Sequence, residues 1–184
     1  LCFMTHWCLS QKDGLYLWKI SWNLISRDIL GGVPRFLQFY RKAQMSKNPF
    51  LHKIYKKLFE ISTKKKGIEF SVDNEIGYGF YVGHPYGITI NAKAIIGNNV
   101  NIHKGVTIGQ ENRGKRKGTP CIGNNVWIGV NATIVGNVVI GNDVLIAPNT
   151  YINCDIPDHS IVFGNPCIVK HADDATKDYI NHAV

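Results

Sequence analysis

The stretch of sequence that decides the fold spans residues 122–152 and reads IGNNVWIGVNATIVGNVVIGNDVLIAPNTYI. An isoleucine recurs in it at every sixth position, from Ile122 to Ile152. A six-residue period is typical of a parallel β-helix, in which each hexapeptide supplies one short strand and one corner. Because residues two apart on a strand share a face, the recurring isoleucine points into a prism and the residues after it turn the chain.

The same period extends toward the N-terminus, with one change of phase. Aliphatic residues stand at Ile76, Val82 and Ile88, and a second series, displaced by two positions, begins at Ile90 and reaches Ile108. The corners consist of glycine, asparagine and aspartate, which adopt turn conformations at little cost. An ordinary antiparallel β protein would interrupt the period with loops of irregular length. The pattern therefore predicts a mainly β chain, with a parallel β-helix over residues 68–156.

The period fails once, between Ile108 and Ile122, which are separated by two positions more than two hexapeptides. Residues 110–119 are polar, contain glycine and lack the aliphatic repeat. We therefore expect them to leave the prism as a loop. Insertions in solenoids gather on one face, which is often the binding face.

Residues 1–66 are predicted to form a helical region. Leu15, Trp18, Trp22, Ile25 and Ile29 follow helical spacing, which is typical of an amphipathic helix. A second helix is predicted over residues 36–45. We expect these helices to dock on the β-helix or on a sister subunit, rather than to lie on a membrane surface as a peripheral contact.

A third helix is predicted from Asn48, a suitable N-cap, and Pro49 at the first helical position. Its apolar stripe has the same helical spacing and comprises Leu51, Ile54, Leu58 and Ile61. The β-helix domain is assigned to residues 67–170 and a C-terminal tail to residues 171–184. A short helix is predicted in that tail, over residues 173–182.

Composition excludes several classes of protein. No run of eighteen apolar residues occurs, so no membrane-spanning helix is predicted, and residues 1–9 lack the features of a signal peptide. The five cysteines form no CxxC motif and are odd in number, which favours free thiols in a reducing cytoplasm. The net charge of +8 invites an anionic partner. Because the basic clusters lack interleaved aromatic residues, nucleic-acid binding is not expected.

One of the seven histidines, His84, stands at a corner, in the segment Gly83-His84-Pro85-Tyr86-Gly87. Glu69 precedes it by fifteen residues, which is close to the eighteen of one complete coil. A carboxylate beside an imidazole is the arrangement of a general base. Two alternatives remain open. One is a zinc lyase of the carbonic-anhydrase type using His84, His103 and a third ligand, and the other is a non-catalytic β-helix used for assembly.

Several motifs resemble a known family. They include Gly67-Ile68-Glu69-Phe70, the segment around His84, residues 101–109, Asn124-Asn125-Val126-Trp127-Ile128-Gly129, and Ile156-Pro157-Asp158-His159. Over residues 67–170 these motifs resemble the serine acetyltransferase family of hexapeptide acyltransferases. The resemblance implies a left-handed parallel β-helix, acetyl-CoA as donor and no metal. It also implies a homotrimer, or a dimer of trimers, with active sites between subunits.

The resemblance also implies roles for individual residues. His84 matches the general base of the family and Glu69 the acidic residue that orients it. The positions matching the cofactor-binding residues are Gly109, Gln110, Gly129, Val130, Ala147, Pro148 and Lys170, and those expected at the acceptor are Gly83, Tyr86, Arg113 and Thr119.

Two departures from the family concern the acceptor. Gly83 stands where serine acetyltransferases have an aspartate, and Gly118-Thr119 where they have an Arg-His pair. Since these family residues help to hold the amino acid, the acceptor hydroxyl is expected to belong either to L-serine or to a sugar of a surface polysaccharide. The departures slightly favour the sugar. The predicted activity is therefore acetyl-CoA-dependent O-acetyl transfer.

Overall fold

The structure is a computed structural model that describes residues 34–181 and 183–184. The helix predicted from the spacing of Leu15 to Ile29 lies outside the described residues, as do Cys2 and Cys8. None of the helices in the described ranges is long and apolar enough to cross a membrane.

Two helices precede the strands, and both agree with the sequence-based prediction. Helix α1 spans Arg35–Met45 and helix α2 spans Pro49–Lys64. The side-chain oxygen of Asn48 accepts hydrogen bonds from the amides of Phe50 (2.9 Å) and Leu51 (3.4 Å). Asn48 thus satisfies two of the amides that a helix N-terminus leaves without partners.

Short strands make up the rest of the described chain, apart from its turns, a loop and the tail. In chain order they are β1 (Glu75–Ile76), β2 (Tyr81–Gly83), β3 (Thr89–Ile90), β4 (Ile95–Ile96), β5 (Asn101–His103), β6 (Thr107–Gly109), β7 (Cys121–Ile122), β8 (Val126–Ile128), β9 (Thr133–Val135), β10 (Val139–Ile140), β11 (Val144–Ile146), β12 (Tyr151–Ile152), β13 (Ser160–Phe163) and β14 (Ile168–His171). A single 3-10 turn, Gly114–Arg116, interrupts the loop between β6 and β7.

The strands form three sheets, which are the three sides of the predicted prism. Sheet 1 has the order β1-β4-β7-β10, sheet 2 the order β14-β13-β11-β8-β5-β2, and sheet 3 the order β12-β9-β6-β3. Successive coils pair in parallel and in register, as when Val126 lies opposite Val144. Only β14 runs antiparallel, forming a hairpin with β13.

The repeated isoleucines fill the interior of the prism, as the period predicts. Ten of them, from Ile88 to Ile156, are completely buried, and burial of each such side chain contributes about 1.5–3 kcal/mol. At one row of corners the asparagine side chains form a ladder. Asn98 Oδ1 accepts from the amide of Tyr78, Asn124 Oδ1 from Asn98, and Asn142 Oδ1 from Asn124, at 2.8–2.9 Å. This ladder provides partners for corner amides that the sheets do not use.

Helix α1 docks on the first coil of the prism. The hydroxyl of Tyr40 donates to the carbonyl of Asn74 at 2.6 Å. The guanidinium of Arg41 donates to the carbonyls of Ile76, at 2.7 Å, and of Gly77. These bonds satisfy carbonyl groups where the coil has no preceding strand.

Helix α2 docks through a different face from the one its apolar stripe suggests. Phe59 and Thr63 are buried, and the Phe59 ring packs edge-on against Phe70, with centroids 5.0 Å apart. Leu51 and Ile61, two members of the stripe, are 42% and 54% exposed. The stripe therefore does not pack on the β-helix in this chain.

The C-terminal tail forms turns instead of the predicted helix, as far as residue 181. Its backbone is held by the prism: the Asp143 carboxylate accepts from the amides of Ala175 and Thr176, both at 2.9 Å. Further along, Asn101 Nδ2 donates to the carbonyl of Tyr179 at 3.1 Å. These contacts hold the tail against the prism in a succession of turns, and the predicted helix does not form.

Candidate active site

The corner that carries His84 is two residues longer than the corner below it. Six positions separate Gly83 from Thr89, whereas four separate His103 from Thr107, although both pairs are in register. The prism interior keeps its register because the extra residues bulge outward. The phase change of the isoleucine series in the sequence is the signature of this bulge.

His84 lies at the tip of the bulge and is exposed. Its backbone has φ of 52°, in the left-handed region that non-glycine residues rarely adopt. The His84 carbonyl accepts from the amide of Tyr86 at 2.8 Å, which closes the tight turn. Other corners of the prism, such as those at Asn99, Asn125 and Asn149, have the same conformation, with φ of 53–58°. The imidazole is therefore presented to solvent by a constrained backbone.

Glu69 lies on the same level of the prism as Thr89, just before the first full coil. It forms a parallel bridge with Thr89, and its carbonyl accepts from the amide of Ile90 at 2.7 Å. The Glu69 side chain is exposed. Within the described residues no hydrogen bond or ion pair joins its carboxylate to His84. The predicted Glu69–His84 pair thus stays a prediction.

The imidazole of His103 occupies the space next to Gly83. A Cβ atom built on Gly83 would lie 2.5 Å from His103 Nδ1 and 2.6 Å from its Cε1. Any other residue at position 83 would therefore displace the ring. The ring is half-buried, and its Nε2 atom is buried without a hydrogen-bond partner. Burial, together with the nearby His84, holds the pKa of His103 below its ordinary value, so this ring is neutral at neutral pH.

Trp127 closes the opposite side of His103. The ring centroids of His103 and Trp127 are 4.8 Å apart, and Tyr179 of the tail contacts Trp127 with centroids 5.2 Å apart. Trp127 thus packs against both His103 and the tail. Tyr86, which is expected at the acceptor, is 58% exposed.

Four of the positions expected to bind the cofactor lie on the same edge of the prism as His84. This edge, the His84 edge, is where sheet 2 turns into sheet 3, and its corners are joined by backbone hydrogen bonds. Gly105 donates to the carbonyl of Tyr86 at 3.0 Å, and Asn149 donates to that of Val130 at 2.9 Å. The four positions are Gly129, Val130, Ala147 and Pro148.

Glycine at position 129 allows two of these corners to approach closely. A Cβ atom on Gly129 would lie 2.6 Å from the backbone nitrogen of Pro148. At this level Gly129 is buried and Val130 half-buried, whereas Asn131 and Pro148 are exposed.

The remaining candidates lie elsewhere. Gly109 and Gln110 stand on the loop edge, where sheet 3 turns into sheet 1, and Arg113 and Thr119 belong to the loop that leaves it. Lys170 lies in the β13–β14 hairpin, with Nζ 5.6 Å from the centroid of the Phe163 ring. One chain therefore does not bring the loop residues to His84.

Residues 110–119 form the predicted loop, which folds back along the prism. Glu111 and Gly118 pair through two backbone hydrogen bonds of 2.9 Å. The Arg116 carbonyl accepts from the amide of Asn137 at 2.8 Å, and the Thr119 hydroxyl donates to the carbonyl of Lys93 at 3.1 Å. These contacts define the shape of the loop and leave the Arg113 side chain exposed.

The histidines do not assemble a metal centre in residues 34–181 and 183–184. No group of three histidine, cysteine or carboxylate side chains lies close enough there to hold an ion. His84 and His103 are neighbours through Gly83, but a third ligand does not join them. The zinc-lyase alternative therefore gains no support from the described residues.

Comparison with known proteins agrees with this geometry. A family model described as bacterial transferase hexapeptide (six repeats) matches residues 122–154. A serine acetyltransferase of Helicobacter pylori is 32% identical over 126 residues, which cover 68% of this chain and 74% of that protein. Serine acetyltransferase 2 of Arabidopsis thaliana is 32% identical over 167 residues, covering 79% of this chain. The chain spans only 49% of the Arabidopsis protein.

Solved structures match the fold. Serine acetyltransferase isoform 3 of Entamoeba histolytica, in complex with cysteine, superposes with a TM-score of 0.61 at 28% identity, covering 82% of this chain and 59% of that chain. A soybean serine acetyltransferase complexed with serine gives a TM-score of 0.58 at 29% identity, covering 73% and 56%. The expected fold class, a left-handed parallel β-helix with N-terminal helices, is confirmed by these matches.

Proposed function

Since the chain belongs to the serine acetyltransferase family of hexapeptide-repeat acyltransferases, we propose that it transfers an acetyl group from acetyl-CoA to a hydroxyl acceptor. The acceptor is either L-serine or a sugar hydroxyl of a surface polysaccharide. The observation that carries the proposal is the exposed His84 imidazole at the tip of a lengthened corner, with a left-handed backbone. A solvent-facing imidazole is available to an incoming alcohol, as a general base must be.

The proposed chemistry is a direct transfer. His84 removes the proton of the acceptor hydroxyl while the hydroxyl oxygen forms a bond to the carbonyl carbon of the thioester. The carbon–sulfur bond then breaks, and the departing thiolate of CoA takes the proton from His84. Glu69, once paired with His84, would orient the imidazole and stabilise its protonated form. Hydrogen-bond donors directed at the carbonyl oxygen would supply the electrostatic contribution.

Acetyl-CoA is proposed to lie along the His84 edge. The half-buried Val130 and the exposed Pro148 form an apolar surface there, which suits an extended pantetheine arm. Ala147 and Val130 would flank that arm. Lys170, at the far end of sheet 2, would meet the phosphates of the nucleotide.

Association of several protomers would bring to His84 the candidate residues that a single chain places on another edge of the prism. Gly109, Gln110, Arg113 and Thr119 belong to the loop edge. In a homotrimer, or a dimer of trimers, the loop edge of one protomer would face the His84 edge of its neighbour. We propose that the active site lies in this cleft.

The reaction is proposed to take place in the cytoplasm. Cys154 and Cys167 are thiols whose Sγ atoms lie 3.5 Å apart. Two thiols this near to each other remain reduced, without forming a disulfide, in a reducing compartment.

The test is thiol release from acetyl-CoA, measured with L-serine, homoserine and a panel of sugars. Acceptor-dependent release is expected, with formation of the O-acetyl product confirmed by mass spectrometry. Binding of acetyl-CoA is measured in parallel by calorimetry. Tight acetyl-CoA binding without release to any of these acceptors would contradict the proposal.

A further inference from the structure

We propose that His103 binds the acceptor through Nδ1 and selects an uncharged saccharide or polyol, which carries a second hydroxyl beside the one acetylated, over an amino acid. This inference rests on the acetyl transfer proposed above. It concerns which acceptor is chosen, and its test separates that choice from the transfer itself.

The first step is the position of the ring. His103 and Gly83 lie opposite each other on β5 and β2, and Nδ1 is the ring atom nearest to where a Cβ of residue 83 would be. Since His84 follows Gly83 directly, Nδ1 lies next to the corner that carries the proposed base. A hydroxyl bonded to Nδ1 would therefore belong to the same molecule as the hydroxyl at His84.

The second step is the rigidity of the ring. His103 packs between Gly83 on one coil and Trp127 on the next, with Trp127 in turn held by Tyr179. Nε2 is buried without a partner, whereas Nδ1, which also makes no hydrogen bond to the described residues, is not completely buried. Nδ1, on the Gly83 side, is thus the nitrogen placed to meet a ligand. A ring held on two sides offers a hydrogen bond in a defined direction.

The third step is charge. His103 is neutral at neutral pH, since burial and His84 hold its pKa down. Lys66 Nζ lies 4.7 Å from the centroid of the Tyr86 ring, the exposed Lys104 follows His103, and the carboxylate assigned to this corner, Glu69, is proposed to pair with His84. An ammonium group needs a carboxylate partner on leaving water, and none contacts the His103 ring in the described residues. An uncharged hydroxyl meets no such penalty and can either donate to Nδ1 or accept from it.

The test compares L-serine with three probes, methyl β-D-galactopyranoside, methyl β-D-glucopyranoside and methyl α-D-mannopyranoside, in the thiol-release assay. The unmodified protein is expected to have a higher kcat/KM for at least one glycoside than for L-serine. In His103→Ala this kcat/KM is expected to fall about 10- to 100-fold, mainly through KM, because a polar group that holds a hydroxyl is lost. His103→Gln, which keeps a hydrogen-bonding group, should recover part of the loss.

A second variant perturbs His103 Nδ1 by a substitution at Gly83. Gly83→Ala places a methyl group against Nδ1, at the 2.5 Å contact, and should reproduce the loss. The double variant should have no lower kcat/KM for the glycosides than either single variant, since both substitutions remove the same hydrogen bond to Nδ1. His171→Ala, which alters an exposed histidine on β14, is the control and should leave the ratio of the two acceptors unchanged. Thermal unfolding of each variant shows whether the fold persists.

Two results would overturn the inference while leaving acetyl transfer intact. One is a preference for L-serine over every glycoside. The other is an equal effect of His103→Ala on L-serine and on the glycosides, or no effect on either. Absence of release with all four acceptors, with acetyl-CoA still bound, would instead contradict the proposed function and the inference with it.

Discussion

The carboxylate of Asp143 holds Thr176, thirty-three residues further along the chain, through both the amide and the hydroxyl of that residue. The two distances are 2.9 Å and 2.6 Å. The carboxylate also accepts from His159 Nδ1 at 2.8 Å. Burial opposes ionisation of Asp143, but the hydrogen bonds from Thr176, His159 and Ala175 outweigh it and hold the pKa of Asp143 below its ordinary value. One ionised side chain thereby anchors the tail to the prism.

Replacing Asp143 by alanine is expected to release the tail. The amides of Ala175 and Thr176 would lose their partners, and we expect a loss of about 1–3 kcal/mol in the free energy of unfolding. Urea unfolding measures that change, and limited proteolysis reports cleavage within residues 172–184. Asp174→Ala, which also puts alanine at a positive φ (55°, against 53° at Asp143) and removes an exposed carboxylate, is the matched control. Unchanged stability and unchanged cleavage in Asp143→Ala would contradict the anchoring role.

The contribution of His159 to stability is expected to depend on pH. The hydrogen bond to Asp143 raises the pKa of His159, with smaller electrostatic contributions from Asp143, Asp158 and Asp173. A raised pKa in the folded state means that the added stability is fully present below the unfolded pKa, about 6.5. It is lost as pH rises through the folded pKa.

The measurement is the difference in melting temperature between the unmodified protein and His159→Asn. Asparagine tolerates the positive φ of 55° at this position, so the comparison isolates the imidazole. The difference should be largest under mildly acidic conditions and should shrink as pH is raised. A difference that grows with pH would show that the sign is wrong.

Replacing His84 should lower turnover by about 10² to 10⁴ while leaving acetyl-CoA binding largely intact, since the imidazole acts as the base and not as a cofactor contact. His84→Asn is a better-matched variant than His84→Ala, because asparagine adopts left-handed φ readily. Thiol release and calorimetry measure the two properties separately. Near-normal turnover in both variants would rule out the assignment.

Replacing residues 110–119 by two residues, so that three residues again connect β6 to β7 as they connect β9 to β10, is expected to impair acceptor use without unfolding the prism. The loop contributes hydrogen bonds to Asn137 and Lys93, so a loss of about 1–2 kcal/mol in the free energy of unfolding is expected. Arg113→Ala tests the loop side chain with the backbone intact. Circular dichroism and size-exclusion chromatography monitor the fold and assembly. Loss of the folded assembly on this replacement would show that the loop is structural.

Replacing Tyr40 by phenylalanine should weaken the attachment of helix α1. The Tyr40 hydroxyl donates to the carbonyl of Asn74 and accepts from Gln44 Nε2 at 2.7 Å, and burial raises its pKa to about 12. Loss of a buried hydroxyl between two partners should cost about 1–2 kcal/mol, measured by urea unfolding. Tyr55→Phe is the control, because the Tyr55 hydroxyl makes no hydrogen bond to the described residues. Equal stability of the two variants would contradict the prediction.

The sequence predicted the prism because a single short repeat determines both which residues point inward and where the chain turns. The period from Ile122 to Ile152 predicts three sheets of stacked strands, and the two-residue shift before Ile90 marks the lengthened corner at His84. Asn48 and Pro49 were sufficient to predict where α2 begins, since cap and first-turn preferences are local.

Other features depend on contacts that the sequence does not encode locally. Helix α2 has a second apolar face, with Tyr55 and Phe59, and the choice between it and the Leu51 stripe depends on the shape of the first coil. The tail forms turns whose amides bind Asp143, a residue of a distant corner. His103 was identified only as a possible metal ligand. The contact of His103 with Gly83 follows from the pairing of successive coils. The two additional residues in the corner at His84 hide this pairing in the sequence.

The lengthened corner at His84 has a consequence for how this architecture acquires new chemistry. Six positions between Gly83 and Thr89 replace the usual four, and the strands on either side keep their pairing. Each turn of the solenoid can accordingly gain or lose residues at its vertex without disturbing its neighbours. Equivalent vertices at Lys104, Val130 and Pro148 are therefore natural positions at which to graft a short reactive segment.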